Sequence, residues 1–255
     1  AGSDVAGMKT RAVDKGDHYV LNGQKTYISN GIIGNLFMVA ARTGEEGSRQ
    51  LGLFLVEGEM EGFKRGRNLQ KMGLKSQDTA ELFFDNVVVP KENVLGDPTR
   101  GFYNLMQFLA EERLMNSVSN LAMASTALEI TLDYARERKV FGQPVADFQV
   151  NRFKFADMRT EIDVAQVFVD QCVMLHNAGN LSPDMAAQSK LVTSEILGRT
   201  VDECVQLHGG AGYMDEYRIS RLYRDARIAR IYAGSSEVMR EIIARSMGLD
   251  PRKKS

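Results

Sequence analysis

The run Ala80-Glu81-Leu82-Phe83-Phe84-Asp85-Asn86-Val87-Val88-Val89-Pro90, then Gly96-Asp97-Pro98, then Gly101-Phe102-Tyr103-Asn104-Leu105-Met106 is where the texture of this chain changes. The first segment is β-rich and Pro90 ends it. From Gly101 onward apolar residues recur every three or four positions, over segments far longer than strands. Working back from that boundary, further strands are predicted at 36–42 and 51–56. Tyr19 to Ser29 carries Asn22-Gly23 between two β-rich runs, which predicts a hairpin turn. Working forward, helices are predicted at 100–137, 145–178, 183–208 and 235–247. The breaks between them are Gly142-Gln143-Pro144, Gly179-Asn180-Leu181-Ser182-Pro183 and a glycine-rich corner. The fold class is therefore α+β: a small antiparallel β-sheet or barrel over 1–96, followed by a C-terminal four-helix bundle over 97–255.

Bulk properties narrow the function. With 44% hydrophobic and 25% charged residues, the 255-residue chain has ordinary globular composition and length enough for a sizeable core. A net charge of −1 from 32 basic and 33 acidic residues gives no electrostatic case for nucleic acid or an anionic membrane. No apolar run approaches the roughly 20 residues that span a bilayer. Cys172 and Cys204 are far apart and near no cluster of histidines, so reduced thiols are expected and no metal site. Arg252-Lys253-Lys254 reads as a solvated tail. The partner that remains is a small molecule or a protein.

One stretch inside the first long helix resists the bland reading. Leu109-Ala110-Glu111-Glu112-Arg113-Leu114 sets two carboxylates within an apolar pattern. On a helical wheel Glu112 falls among Phe102, Leu105, Phe108 and Leu109, while Glu111 falls near Phe108, Met115 and Val118. Periodicity does not choose between them, and an ion pair with Arg113 or a neighbouring helix accounts for either acid.

Taken together, Ala1-Gly2-Ser3-Asp4, Tyr27-Ile28-Ser29-Asn30-Gly31, Lys71-Met72-Gly73, Arg138-Lys139-Val140-Phe141-Gly142, Gln206-Leu207-His208-Gly209-Gly210 and Ile231-Tyr232-Ala233-Gly234-Ser235 resemble the acyl-CoA dehydrogenase family, most closely its long-chain type. The resemblance covers nearly the whole chain, except that such proteins begin with a helical domain not found here. A piece of a longer protein is the expectation, also because the chain opens without an initiator methionine. The resemblance implies a flavoprotein with FAD, an acyl-CoA substrate, electron-transfer flavoprotein as electron acceptor and a homotetramer. It further implies the cytoplasm if the source is bacterial and the mitochondrial matrix if eukaryotic.

The resemblance also assigns roles. The family's base usually precedes Gly-Thr in a Tyr-Glu-Gly-Thr motif, whereas this chain has Tyr232-Ala233-Gly234-Ser235. In the long-chain and isovaleryl types the carboxylate comes instead from the bundle helix ahead of an Arg-Leu pair, which is Glu112 before Arg113-Leu114. Glu112 would then remove the α proton of the thioester, aided by burial that strengthens a carboxylate base. Arg113 would orient it, and the Ala233 N–H would donate to the developing enolate oxygen. Tyr27 and Ser29, alternating along one strand face, would contact the isoalloxazine, and Ser3 would lie near flavin or thioester. Arg138, Phe141 and Gln149 would reach the FAD of a neighbouring subunit. Gln206, Gly209 and Gly210 would meet the adenine side, and Ser235 and Glu237 would complete the cofactor set. Two other readings stand beside this one: an oxidase-like relative passing electrons to oxygen, and a non-catalytic fragment that keeps only assembly contacts.

Overall fold

The structure, a computed structural model, describes residues 2–45 and 50–250, so Ala1 and Arg252-Lys253-Lys254 lie outside the described residues. The chain divides into two compact units after Phe108.

The first unit holds a six-stranded, mostly antiparallel sheet: β1 (Arg11–Asp14), β2 (His18–Ser29), β3 (Leu36–Arg42), β4 (Leu51–Glu57), β5 (Phe63–Arg65) and β6 (Thr79–Pro90), in the order β4-β3-β1-β2-β6-β5. The sheet curls without closing. β4 pairs only with β3 and β5 only with β6, so the two ends of the order remain unjoined and the barrel expected from the sequence is an open one. The curl is nonetheless strong. Phe37 on β3 and Phe63 on β5 stand four strands apart in the order, yet their ring centroids are 5.1 Å apart, and Phe84 of β6 joins them at 5.4 Å from Phe63. Phe54, Val56, Leu21, Val87 and Val89 fill the concave side, each fully buried. At about 25 cal/mol per Å2 of apolar surface, each contributes roughly 1.5–3 kcal/mol.

Asn22-Gly23 does not make a hairpin. β2 runs through it as one strand, and the irregularity is a shift of register against β6 between Leu21 and Gly23. Asn22 instead meets Asn86, whose backbone N–H donates to Asn22 Oδ1 at 2.9 Å. The actual hairpin joins β1 to β2 through Lys15-Gly16-Asp17, closed by Lys15 N–H to the His18 carbonyl at 2.9 Å. Tertiary pairing with β6 has overridden a local turn signal.

The second unit is helical: α1 (Gly101–Glu137), whose first turns belong to the first unit, α2 (Gln149–Asn177), α3 (Pro183–His208), α4 (Arg218–Ala226) and α5 (Ser236–Ser246). Between α1 and α2 a two-stranded ribbon pairs β7 (Lys139–Val140) with β8 (Gln143–Pro144). Ser182 caps α3 by accepting from Met185 N–H, with Pro183 in the first turn, and Ser235 caps α5 by accepting from Val238 N–H. The core interleaves Leu114, Leu121, Ala124 and Leu128 of α1 with Phe155, Ile162, Val169 and Cys172 of α2 and Ile196, Leu197, Val201 and Cys204 of α3. The four expected helices are present. α4 is additional: of its nine residues only Ile219 and Ala226 are buried, a stripe too short for periodicity to reveal beside Arg218, Arg221 and Arg224.

Candidate active site

The buried stripe of α1 runs through Leu114, Ser117, Leu121, Ala124 and Leu128. Glu112 precedes Leu114 by two residues, about 200° round the helix, and so stands on the opposite side. It is exposed, as is Glu111. The expectation of a carboxylate already withdrawn from water is corrected: in this chain by itself, the buried charge of the motif is Arg113, 7% exposed. Burial lowers the pKa of that guanidinium, while the neighbouring charge of Glu112 opposes the fall. Arg113 Nε is buried with no hydrogen-bond partner.

α1 meets α3 along a polar seam. Ser117 Oγ lies 3.0 Å from Ser189 Oγ, and Asn120 Nδ2 donates to Thr193 Oγ1 at 3.2 Å. On the same helix turn Lys190 is 0% exposed, and its ammonium donates to the Gly234 carbonyl at 2.7 Å. Burial pushes the Lys190 pKa down to about 8, with Arg113 adding to the fall and Glu195 and Glu237 opposing it. A run of charges thus leads from Glu112 through Arg113 and Lys190 to the loop before α5.

That loop has an unusual backbone. Ala233 and Gly234 both have left-handed φ, 51° and 93°, so the backbone turns sharply just before α5. Among the described residues no hydrogen bond is made by the N–H of Ala233. The φ of 93° favours glycine at 234, where an added Cβ would also displace the Met239 methyl, 2.5 Å away. The loop is anchored beyond the turn as well: Ser236 Oγ donates to Glu195 Oε1 at 2.7 Å. Arg230 Nε lies 3.0 Å from Glu195 Oε2, close enough to pair charges although not aligned as a hydrogen bond. Glu237 is exposed in the first turn of α5, its carboxyl pKa lowered by its own backbone N–H and then by Ser235.

In the β unit, Tyr27 and Ser29 are both exposed, with a bulge between Lys25 and Ile28 where Tyr27 takes φ 59°. The simple alternation expected of them is therefore interrupted. The bulge turns out a tyrosine ring that is 77% exposed. Bulges and left-handed non-glycine residues concentrate at functional sites. Ser3 is exposed near the chain start.

Phe141 and Gly142 form the two-residue turn between β7 and β8, with φ 50° and 82°. Positive φ at both centres is the turn that suits a twisted ribbon, but a phenylalanine there is strained. Its ring is 96% exposed, flanked by exposed Arg138 and Gln149. Gln206, Gly209 and Gly210 are exposed at the end of α3. The close backbone approach expected of this glycine cluster belongs to Gly212, where a Cβ would sit 2.6 Å from the Val205 carbonyl oxygen. His208 is engaged structurally, stacked on Tyr134 at 4.3 Å and bonded through Nδ1 to the Cys204 carbonyl at 2.8 Å.

Reading the sequence alone missed Lys190 and Glu195. The clue was available for Lys190, because it lies on the α3 stripe of Ala186, Thr193 and Leu197, a charged residue on a buried face. A groove of about 1000 Å3 contains none of the expected site residues; Val164, Phe168, Leu191, Val192 and Ile196 line it on α2 and α3. Among the described residues no group of three or more His, Cys, Asp or Glu could hold a metal, and no helix is long and apolar enough to cross a membrane.

Comparison with known proteins bears on this arrangement. The family model described as the acyl-CoA dehydrogenase middle domain matches residues 1–87, and that of the acyl-CoA dehydrogenase C-terminal domain matches 99–248. The chain belongs to the acyl-CoA dehydrogenase family. It is 44% identical over 253 residues to the mitochondrial long-chain specific acyl-CoA dehydrogenase of Mus musculus, covering 98% of this chain and 59% of that protein. The crystal structure of an acyl-CoA dehydrogenase from Geobacillus kaustophilus matches with a TM-score of 0.95 at 44% identity, over 97% of this chain and 66% of that one. An acyl-CoA dehydrogenase from Bacillus anthracis, complexed with FAD, matches with a TM-score of 0.91 at 34% identity, over 100% of this chain and 47% of that one. This acyl-CoA dehydrogenase chain therefore spans less than two thirds of the length of the relatives it matches. Within that span it has the family's middle and C-terminal parts, an alanine at 233 and an exposed carboxylate at 112.

Proposed function

We propose that this chain, with its β domain over 1–96 and helical domain over 97–255, supports FAD-dependent α,β-dehydrogenation of acyl-CoA thioesters to 2-enoyl-CoA, the first oxidative step of fatty acid β-oxidation. The observation that carries the reading is the left-handed Ala233-Gly234 turn, in which the Ala233 N–H has no acceptor and Ala233 itself carries no acid. The loop is built to receive a negative oxygen and leaves the base to come from elsewhere.

Glu112 is that base in our reading. It takes the α proton as the Ala233 N–H donates to the thioester oxygen, so that charge moving from the α carbon onto that oxygen is met where it arrives. The exposure of Glu112 in this chain means that the desolvation a strong carboxylate base needs is supplied when substrate and flavin cover it. Arg113, buried one residue away with an unused Nε, makes no ion pair with Glu112 among the described residues and acts on it through its charge alone. The residues fit FAD on two observations: an uncovered tyrosine ring at a bulge, suited to lie against a planar ring system, and an uncovered phenylalanine at a strained turn beside Arg138. When bound, FAD supplies the acceptor for the β hydride, at flavin N5. Tyr27 and Ser29 contact the isoalloxazine, with Ser3 nearby. Gln206, Gly209, Gly210, Ser235 and Glu237 hold other parts of the cofactor. Arg138, Phe141 and Gln149 serve a neighbouring subunit of a homotetramer. The exposed apolar stripe of Val164, Val167 and Met174 on α2 supports such an assembly. Electron-transfer flavoprotein is the proposed acceptor.

The test is optical. Protein purified with FAD should lose flavin absorbance when acyl-CoA is added anaerobically, and a chain that binds FAD but keeps its full absorbance with acyl-CoA of every length would refute the reading.

A further inference from the structure

The helical unit contains one charged side chain that the proposed chemistry does not use and that no solvent reaches. Lys190 lies within α3 between Ser189 and Thr193, which themselves face α1, and is completely buried. A lysine in such a place is costly unless its charge is compensated and its donors are engaged. Lys190 directs its Nζ to one backbone atom, the carbonyl of Gly234, at 2.7 Å. That carbonyl belongs to the second of the two left-handed residues in the loop before α5.

The backbone at this point has little else to hold it. A left-handed alanine is unfavourable by itself, because its Cβ crowds the following carbonyl. Outside the turn the loop is fixed on the N-terminal side by Tyr232 N–H to the Ile228 carbonyl at 3.1 Å and on the C-terminal side by Ser236 Oγ to Glu195. Between those anchors the Lys190 ammonium is what holds the turn from beneath. The same helix is locked to α1 by Ser117, Ser189, Asn120 and Thr193, at the level of Arg113. One side chain thereby ties the loop carrying the Ala233 N–H to the helix seam beside the turn carrying Glu112.

We propose that Lys190 is a positioning residue: by donating to the Gly234 carbonyl, it holds the Ala233-Gly234 turn in the shape that presents the Ala233 N–H to the thioester oxygen. The proposal rests on the function proposed above and adds to it the device that keeps the donor loop in register with the base helix. The charged groups that act on Lys190 are Arg113 from α1, Glu195 from α3 and Glu237 from α5; Glu195 is paired with Arg230, and among the described residues no carboxylate lies within 4.0 Å of the Lys190 ammonium. It is therefore free to serve the carbonyl. The depressed pKa of about 8 agrees with a cation held by a neutral acceptor in a dry place.

The experiment compares the parent holoprotein with Lys190→Met and Lys190→Arg by two readouts. The first is amide hydrogen exchange, without substrate, of Tyr232, Val238 and Met239, the hydrogen-bonded amides on either side of the turn, and the second is kcat and KM with acyl-CoA. Lys190→Met should raise exchange at these three amides tenfold or more and lower kcat tenfold or more. KM should stay within threefold, flavin content should be unchanged, and the amides of Val169 and Leu197 should keep their protection. Lys190→Arg, which can still reach a carbonyl, should recover part of both losses. The proposal is overturned if folded Lys190→Met matches the parent in exchange and kcat, or if its exchange rises uniformly along α1 and α3, the mark of a plain core defect. Should Lys190→Met not fold, Lys190→Gln is scored by the same two readouts and the same limits. If the parent holoprotein itself fails to bleach with acyl-CoA, the function falls, while the exchange measurement still decides the role of Lys190.

Discussion

Replacing Glu112 by glutamine separates chemistry from architecture in this protein. The side chain is exposed on α1, outside the stripe of Leu114, Ser117 and Leu121 that holds the helix, and among the described residues its carboxylate makes no ion pair within 4.0 Å. A surface substitution of this kind shifts stability by about 0.5 kcal/mol or less. Its role as base is another matter, since general-base catalysis supplies about 10²–10⁴ in rate, or roughly 2.7–5.4 kcal/mol of barrier at 1.36 kcal/mol per decade. Glutamine keeps the shape but accepts no proton. The expected outcome is a Tm within about 1 °C of the parent and unchanged flavin content. The rate of flavin reduction by acyl-CoA, followed by stopped-flow absorbance near the flavin maximum, should fall at least a hundredfold. A variant that reduces flavin within threefold of the parent would show that another group takes the proton. A loss of rate accompanied by loss of flavin or of thermal stability would show that Glu112 acts through the fold.

Other outcomes follow from the same geometry. Phe141→Ala removes a ring that touches little within its own chain and relieves a bulky residue at φ 50°, so Tm should not fall. The affinity for FAD should drop about threefold to tenfold, as read by flavin titration, in line with an aromatic contact of roughly 0.5–1.5 kcal/mol. Val167→Asp places a charge on the exposed apolar stripe of α2 and should dissociate the proposed tetramer, seen by sedimentation, without unfolding the chain. Lys190 has its pKa lowered from 10.5 to about 8, so between those values the unfolded chain holds a proton that the folded one has released, and stability rises with pH. Below pH 8 the full cost of burying the ammonium applies, on the order of 3 kcal/mol. Between pH 8 and 9, below the range in which the buried Cys204 thiol, pushed up to about 11, sets the opposite trend, the parent should gain up to about 1.4 kcal/mol per pH unit relative to Lys190→Met. Chemical denaturation at a series of pH values measures the difference, in which Lys25 cancels because both proteins have it. Equal slopes would mean that Lys190 is not buried as a cation.

Long elements were legible because their signal repeats. α1 declares itself through an apolar residue every three or four positions from Leu114 to Leu128, and α3 through a capping Ser182, a first-turn Pro183 and a glycine past His208. Short elements lacked repetition. β1 has four residues, β5 three, and α4 buries only two side chains, so each is an element only because neighbouring strands or helices complete it. The Asn22-Gly23 error has the same origin. A local turn preference of a fraction of a kcal/mol was outweighed by the ladder that β6 offers on both sides of it. Curling without closure was beyond a sequence reading as well, since alternation reveals which face is buried but not whether the two edge strands meet.

The site divides along a different line. Its exposed members, Tyr27, Ser29, Phe141, Gln206 and Glu112, were readable only by resemblance, because nothing in an exposed residue's own pattern distinguishes a ligand contact from ordinary surface. Its buried members were readable by pattern, and there the reading stopped one residue short. The paired acids of α1 drew attention as charges in an apolar stripe, yet the stripe buries Arg113 and leaves both acids outside it. The rule was sound and was applied to the wrong neighbour, since an offset of one position rotates a side chain by about 100°, from core to solvent. Applied to α3, the same rule selects Lys190, the fully buried charge beneath the loop. A charge kept at such cost in a helix core marks the place where backbone geometry must be held, and here that place is a left-handed turn with a free Ala233 N–H. Glu112, the proposed base, is one end of a run of charges that leads through Arg113 to Lys190 and its bond to the Gly234 carbonyl, and the catalytic reading depends on both ends.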